Sequence, residues 1–280
     1  MATVPTRDGG AISYTVHGNG AATLLFMHGW AGSAPYFDEV IGEIDLNALR
    51  IVTMDLRGHG KSSPALPPWT LDGIADDVWS VVDAAGAGDV ILAGFSMSGK
   101  FAQYVASCRP DRVSGLVLIS GFPASQIPFP EEVARDWVGR AGNRERIGEL
   151  LAPFISEPVD PAILDRFLDD AIRVPAAVLE GTLRTCIGAS FAERVESLQM
   201  PTLVVGGKRD PIFPPDAVAS MARSLPCARG VCFDCNHEIP MERPHDLAHV
   251  LEAFVAGLGV GCRSGKIAGV PVGTGLAAGT

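Results

Sequence analysis

Val90-Ile91-Leu92-Ala93-Gly94-Phe95-Ser96-Met97-Ser98-Gly99 joins an apolar run to a tight turn of small residues. The run Val90–Ala93 is short, continuous and apolar, which indicates a buried strand. The residues after the turn are compatible with a helix. The pattern therefore predicts a sharp strand-to-helix turn with Ser96 at its tip.

The geometry of such a turn restricts the residues around the serine. The backbone is strained there, so the positions two before and two after must be small, and Gly94 and Ser98 meet that demand. The turn lifts the Ser96 hydroxyl clear of the backbone. It also directs the amide of Met97 toward the same space, at the positive end of the following helix. We therefore interpret Ser96 as a nucleophile and Met97 as one oxyanion donor.

A serine nucleophile needs a histidine that takes its proton and a carboxylate that orients this histidine. The apolar run Thr202–Val205 is followed by a loop that carries Asp210, and the run Val231–Phe233 is followed by a loop that carries His237. Asp216 and Asp234 are the nearest alternatives for the acid. We predict a triad in the chain order Ser96, Asp210, His237.

With these residues in place, the sequence resembles the α/β-hydrolase superfamily over residues 10 to 257. The resemblance implies an α/β fold in which a mostly parallel central sheet is flanked by helices and presents the triad at the carboxyl ends of its strands. It also implies that the amide of Trp30, directly after His28-Gly29, is the second oxyanion donor. The remaining segments that carry the resemblance are Thr23–Met27, Ile51–Ser62 and His237–Pro244.

The turn is most similar to those of small bacterial serine esterases, cofactor-free haloperoxidases and perhydrolases, which tend to read Gly-Phe-Ser-Met-Gly-Gly. This chain departs from that pattern at Ser98, whose hydroxyl we expect to compete for a hydrogen bond near the nucleophile. Lys100 places a charge where the helix is usually apolar, and the sequence offers no physical account of it. Phe95 disfavours carbon–carbon bond hydrolases, which often have asparagine before the serine.

The other polar residues of the resembling segments have structural interpretations. His28 is expected to hydrogen-bond the backbone of the loop that positions Trp30, and Asp55 and Arg57 are expected to brace the adjoining turn. We place His59 on the surface or in a turn. None of these side chains is needed for the triad.

The chain divides into a core domain with one insertion. We predict a core at residues 1–120 and 198–258, a helical lid at residues 121–197, where several prolines interrupt the strand–helix alternation, and a Gly-rich, flexible tail at residues 259–280. Aromatic residues near the turn and in the lid should line an apolar substrate pocket. The pocket candidates are Phe95, Trp137 and Phe154.

Composition restricts the location and the partners. The 280 residues are 47% hydrophobic, which suffices for a large core, and 32 acidic against 22 basic side chains give a formal charge of −10. That charge disfavours nucleic acid and anionic membranes as partners. The N-terminus lacks a signal-peptide pattern, so we expect a cytoplasmic protein. Cys232 and Cys235 lack a second pair at zinc spacing, so we predict no metal site there. We expect no cofactor.

The resemblance and the triad predict a serine hydrolase that cleaves small to medium carboxylic esters through an acyl-enzyme. Perhydrolysis or haloperoxidation without a cofactor, or carbon–carbon bond hydrolysis, would use the same triad. A ligand receptor on a hydrolase scaffold is the alternative from another class. The oligomeric state stays open.

Overall fold

A computed structural model describes residues 1–62 and 69–258. The predicted tail at 259–280 lies outside the described residues. One sheet of eight strands forms the centre of the described chain. The strands are β1 (Ala2–Pro5), β2 (Ala11–His17), β3 (Ala22–Met27), β4 (Leu49–Met54), β5 (Val90–Phe95), β6 (Val113–Ile119), β7 (Thr202–Gly207) and β8 (Ala228–Phe233).

The strand order across the sheet is β1-β2-β4-β3-β5-β6-β7-β8. The six strands from β4 to β8 in this order are parallel, whereas β1 and β2 pair antiparallel at one edge. The register aligns Leu25 with Leu92 and Leu92 with Leu116. The central strands β3 and β5 are buried on both faces, which explains their nearly continuous apolar runs. The predicted mostly parallel sheet is confirmed.

Helices cover both faces of the sheet. They are α1 (Asp38–Glu43), α2 (Leu71–Ala84), α3 (Met97–Cys108), α4 (Glu131–Val138), α5 (Arg144–Leu151), α6 (Pro161–Ala171), α7 (Ala176–Gly188), α8 (Ala192–Val195), α9 (Pro215–Ser224), α10 (Ile239–Glu242) and α11 (Pro244–Gly257). One apolar core lies between the sheet and α2, α3 and α9, and the other between the sheet and α1 and α11. Successive residues of β3 alternate between these cores, as the period of a strand requires.

The chain between β6 and β7 forms the helices α4 to α8. Side chains capping two of these helices fix where they begin, because Asn143 accepts from the Arg146 amide and Asp160 from the Ala162 amide. A third apolar cluster lies within this segment and reaches Ala31 in the loop after β3. We call residues 121–197 the cap segment, and its role as a lid stays a prediction.

Strand β8 is longer than its sequence pattern predicts. The pattern begins at Val231, whereas the strand begins at Ala228. The added residues Ala-Arg-Gly have little strand propensity, so pairing with β7 from Thr202 onward decides their conformation. Within residues 1–62 and 69–258, no helix combines the length and the apolar character that crossing a membrane requires.

Candidate active site

Ser96 occupies a strained turn between β5 and α3. Its backbone has φ 51° and ψ −117°, a conformation that non-glycine residues rarely adopt. A Cβ atom at Gly94 would lie 2.1 Å from the Ser98 carbonyl oxygen, so the turn requires glycine there. The Ser96 amide donates to the Ile119 carbonyl at 2.8 Å, which ties the turn to the end of β6. Packing on both sides therefore maintains the strain.

The structure brings the three predicted triad residues into one hydrogen-bonded chain. His237 Nε2 lies 3.0 Å from Ser96 Oγ, and His237 Nδ1 lies 2.7 Å from Asp210 Oδ2. Because a carboxylate can only accept, Nδ1 carries the proton, and Nε2 is left to accept from the serine hydroxyl. This is the tautomer that a general base requires.

Asp210 is 3% exposed and lies in the loop after β7. Its Oδ1 accepts from the amides of Ile212 and Phe213 at 2.8 and 2.9 Å, while Oδ2 faces the imidazole. Burial alone would raise the Asp210 pKa, but the hydrogen bond and charge of His237, together with these two amides, hold it below its usual value. Asp210 is therefore ionised at neutral pH.

The two alternative acids lie elsewhere. Asp216 is exposed in the first turn of α9. Asp234 has a largely exposed side chain that lies 3.7 Å from Arg209. Of the three candidate carboxylates, only Asp210 contacts His237.

His237 is held from several sides and is 3% exposed. Its amide donates to the Phe154 carbonyl at 3.1 Å, and its carbonyl accepts from the Ser120 hydroxyl at 3.0 Å. Burial lowers the pKa of the imidazole, but the hydrogen bond and charge of Asp210 outweigh burial and raise it above 6.5. A raised pKa makes the imidazole a stronger base, which suits a group that takes a proton from a serine hydroxyl.

The loop after β3 passes close to Ser96. A Cβ atom at Gly29 would lie 2.9 Å from the Phe95 ring and 3.4 Å from Ser96 Cβ, so a side chain there would displace the loop. Across residues 1–62 and 69–258, neither the Trp30 nor the Met97 amide donates a hydrogen bond within a turn or a loop. Both residues border the same cavity as Ser96. Their roles as oxyanion donors are proposals.

His28 supports this loop, as the sequence predicts. Its Nδ1 lies 2.8 Å from the Gly29 carbonyl, and its Nε2 accepts from the Leu56 amide at 3.0 Å. The ring is fully buried, and burial lowers its pKa to about 4. A proton on Nε2 would place two donors face to face, so His28 stays neutral and structural.

Asp55 also has the predicted bracing role. It accepts from the amides of Ala34 and Lys61 at 2.7 and 2.9 Å, which joins the loop after β3 to the turn after β4. Arg57 differs, because its guanidinium pairs with Asp77 of α2 at 2.6 and 2.8 Å. It therefore anchors a helix to the turn.

His59 lies in a turn, but the alternative that it lies on the surface is wrong. It is 1% exposed, and its Nδ1 lies 3.1 Å from the Arg57 carbonyl. Burial and the neighbouring His28 lower the pKa of His59 to about 3. Glycine-rich turns usually indicate exposure, and only packing against neighbouring segments buries this one.

The Ser98 hydroxyl does not compete for hydrogen bonds at the nucleophile. It donates to the His28 carbonyl and is fully buried. The sequence could not reveal this partner, because the two residues are 70 positions apart. Ser98 therefore links the helix after the turn to the loop that carries Trp30.

The structure gives Lys100 a physical role. Its side chain is buried, and Nζ donates to the carbonyls of Ser125 and Ala189 at 2.8 and 2.6 Å. Burial lowers its pKa to about 8, with the nearby Cys186 thiol acting in the opposite direction. Ser125 and Ala189 lie near the two ends of the cap segment. The ammonium thus fastens both ends to the helix that follows Ser96.

An apolar cavity opens above Ser96. The predicted candidates Phe95, Trp137 and Phe154 all line it. Apolar residues of the cap segment, from which the sequence predicts part of the lining, also contribute: Phe122, Phe129, Phe167 and Leu183. Sequence analysis did not single out three further lining residues, Tyr36, Cys186 and Glu238. Glu238 has a sequence signal, because it directly follows His237, whereas Tyr36 and Cys186 reach the cavity only through the packing of distant elements. The cavity can hold an apolar ester of small to medium size.

Known proteins are similar to this chain in sequence and in architecture. A family model described as the alpha/beta hydrolase fold matches residues 22–154. The non-heme chloroperoxidase CPO-A1 of Kitasatospora aureofaciens is 30% identical over 240 residues, which cover 79% of this chain and 85% of that protein. The bifunctional esterase/perhydrolase DCH of Acinetobacter calcoaceticus is 28% identical over 235 residues, or 76% and 84% of the two chains.

Solved structures show the same fold. An esterase from Thermogutta terrifontis superposes with a TM-score of 0.81 at 23% identity and covers 92% of this chain and 98% of that one. A bromoperoxidase from Bacillus anthracis gives a TM-score of 0.83 at 19% identity, with 91% and 99% covered. The family model and the sequence relatives identify the family, and the solved structures agree with it in fold. The chain belongs to the α/β-hydrolase family.

Proposed function

We propose that this protein is a serine hydrolase that cleaves carboxylic esters through an acyl-enzyme intermediate. The supporting observation is the hydrogen-bonded chain from Ser96 through His237 to Asp210, with distances of 3.0 and 2.7 Å, at an apolar cavity. Acyl transfer uses a serine in a strained turn, a buried carboxylate and a histidine whose Nε2 is free to accept the serine proton.

In the proposed mechanism, His237 Nε2 takes the proton from Ser96 Oγ as the oxygen attacks the ester carbonyl. The amides of Trp30 and Met97 donate to the carbonyl oxygen as it becomes negative. The resulting imidazolium is stabilised by Asp210 and gives its proton to the leaving alcohol. A water molecule then attacks the acyl-enzyme, with His237 again acting as base, and the acid is released.

The apolar cavity supports esters with apolar acyl or alcohol groups. The aromatic rings of Trp137 and Phe154 lie 6.1 Å apart, and Trp30 lies 5.5 Å from Trp137. Burying apolar substrate surface there contributes about 25 cal/mol per Å². Longer acyl chains should therefore bind better until the cavity is full.

The test compares Ser96→Ala with Ser114→Ala, a control that removes an exposed hydroxyl from β6. Hydrolysis of p-nitrophenyl acetate, butyrate and octanoate should fall at least 1,000-fold in Ser96→Ala and stay unchanged in the control. An alkyl fluorophosphonate should add one covalent adduct to the wild type and the control, and none to Ser96→Ala. Near-full ester turnover in Ser96→Ala would refute the proposed nucleophile.

Perhydrolysis is a second candidate, because two similar relatives are named a chloroperoxidase and an esterase/perhydrolase. In that reaction hydrogen peroxide takes the place of water and the acyl-enzyme yields a peracid. Halide oxidation in the presence of acetate and peroxide, abolished by Ser96→Ala, would support it. If the wild type hydrolysed esters but oxidised no halide, perhydrolysis would be excluded and ester hydrolysis would be the remaining function.

A further inference from the structure

The described residues that line the cavity above Ser96 are largely aromatic and aliphatic, but they include one carboxyl group. Among the described residues that line the cavity, Glu238 is the one with a carboxylate side chain. It directly follows His237 and is 6% exposed. Carboxyl groups are rarely buried at an apolar surface unless they are paired. The hydrogen bonds of Glu238 therefore decide what it can do.

One oxygen of Glu238 is occupied and the other is open. Oε2 accepts from the Tyr36 hydroxyl, whose ring stacks on Phe95 with the centroids 4.8 Å apart. Oε1 forms no hydrogen bond with the described residues. It is also not fully buried, because the buried polar atoms without a partner in the described residues do not include it. Solvent therefore reaches Oε1, and since Glu238 borders the cavity, we infer that this oxygen faces it.

The surroundings of Glu238 make its free oxygen a selective hydrogen-bonding position. Burial raises the pKa of this carboxyl group, Glu242 and Asp210 add to the effect, and His237 and Tyr36 oppose it. Oε1 accepts a hydrogen bond when the group is ionised and donates one when it is protonated. A hydroxyl group can complement either form, because it both donates and accepts.

An ammonium group fits this position less well. It can only donate, and it would have to lose its hydration for a single free oxygen. It would also lie near His237, which becomes an imidazolium during the proposed reaction, and like charges repel in a buried site. An ester that carries a hydroxyl group therefore matches the cavity better than one that carries an amine.

We propose that Glu238 is a specificity-determining residue whose Oε1 hydrogen-bonds a hydroxyl group on an otherwise apolar ester. This assignment rests on the proposed ester hydrolysis. It names the substrate class as hydroxylated esters of small to medium size. A cavity without the carboxyl group would disfavour such esters, because the substrate hydroxyl would be desolvated without a partner.

The experiment measures kcat/KM for pairs of esters that differ by one hydroxyl group. Methyl hexanoate with methyl 6-hydroxyhexanoate, and methyl 3-phenylpropanoate with methyl 3-(4-hydroxyphenyl)propanoate, place it on the acid. Hexyl acetate with 6-hydroxyhexyl acetate places it on the alcohol. In the wild type, kcat/KM for at least one hydroxylated ester should equal or exceed kcat/KM for the matching ester without the hydroxyl group. A ratio below about 0.1 in every pair would overturn the proposal without any variant.

Three variants separate recognition from support of the fold. Glu238→Met keeps a similar volume and should lower the hydroxyl preference about 10- to 100-fold, whereas Glu238→Gln keeps a polar group and should retain most of it. Tyr36→Phe removes the phenol and leaves Oε1, so the preference should persist. An unchanged preference in Glu238→Met, or an equal loss in Tyr36→Phe, would refute the assignment.

The experiment also distinguishes failure of this proposal from failure of the proposed function. If the wild type hydrolyses plain esters in a Ser96-dependent manner but discriminates against every hydroxylated ester, only the role of Glu238 is wrong. If no plain ester is hydrolysed and no fluorophosphonate adduct forms on Ser96, the proposed function itself is wrong.

Discussion

Replacing His59 with asparagine should remove a defined part of the protein's sensitivity to acid. The ring is 1% exposed, and its centroid lies 5.0 Å from that of His28. Its Nδ1 lies 3.1 Å from the Arg57 carbonyl, while Nε2 has no partner among residues 1–62 and 69–258. A proton on Nε2 would therefore create a buried cation whose Nε2 has no hydrogen-bond partner among these residues, a cost that the Asp55 charge and the Arg57 carbonyl only partly offset.

The magnitude follows from the pKa values of the two states. Burial, together with the neighbouring His28, lowers the His59 pKa to about 3 from 6.5. Because the folded-state pKa is depressed, the unfolded chain binds the proton first as the pH falls. The stabilisation is complete above pH 6.5 and is lost progressively down to about pH 3. At pH 5.0, about 2 kcal/mol of stability should have been lost through this residue.

The assay is urea unfolding of the wild type and His59→Asn at pH 7.5 and 5.0. The asparagine amide can still donate to the Arg57 carbonyl, and it does not titrate. The difference in unfolding free energy between the two proteins should change by about 2 kcal/mol between these pH values, in favour of the variant at low pH. Titrations common to both proteins cancel in this difference.

His245→Asn is the matched control. The His245 side chain is exposed, and the hydrogen bond and charge of Glu43 raise its pKa. A raised pKa gives stability that is present below 6.5 and lost as the pH rises, so this control should change in the opposite direction. If the His59→Asn difference changed by less than about 0.5 kcal/mol, the argument that a neutral, unpartnered ring is buried there would be refuted.

Three further predictions concern the site and the helix behind it. Asp210→Asn should lower kcat/KM about 1,000- to 10,000-fold. Because Asp210 raises the His237 pKa, the acid limb of the pH profile of kcat/KM should also move to lower pH in this variant. Measuring kcat/KM for p-nitrophenyl butyrate from pH 5 to 9 tests both effects, and an acid limb that does not move would contradict the pairing of Asp210 with His237. Lys100 has a pKa lowered by burial to about 8, from 10.5. The unfolding free energy of the wild type should therefore rise by about 2 kcal/mol between pH 7.5 and 9.5. Urea unfolding of Lys100→Met should not show this increase. An equal increase in both proteins would contradict a buried ammonium. Ser98→Ala leaves the His28 carbonyl without its donor and should cost about 1–3 kcal/mol, measured at pH 7.5, whereas a cost near zero would mean that the bond contributes little.

The turn and the sheet are predictable from sequence because their signals are local. A strand of consecutive apolar residues, a small residue on each side of Ser96 and a helix-compatible segment define the turn within about a dozen positions. The same locality placed Asp210 and His237 in loops directly after strands. Sequence analysis missed the beginning of β8, where Ala-Arg-Gly has a weak signal and pairing with β7 decides the conformation. It also named neither β1 nor β2, the antiparallel strands at one edge of the sheet.

The choice among the acids needed the tertiary structure. Asp210, Asp216 and Asp234 all follow apolar runs, and sequence spacing does not fix which carboxylate points toward His237. The structure separates them, because Asp210 is buried at 2.7 Å from the imidazole while the other two are exposed. Direction and burial are properties of packed elements and are absent from spacing.

The sequence by itself determined the strained turn at Ser96 and the chain order of the candidate triad, since both depend on short-range pattern and steric demand, and its resemblance to the α/β-hydrolase superfamily implied the fold. Tertiary structure alone decided the partner of the Ser98 hydroxyl, the burial of His59, the anchoring by Lys100 and the pairing of Tyr36 with Glu238. The reason is separation along the chain. Tyr36 and Glu238 are 202 positions apart, and only the closing of the loops over one end of the sheet brings such groups into hydrogen-bond distance.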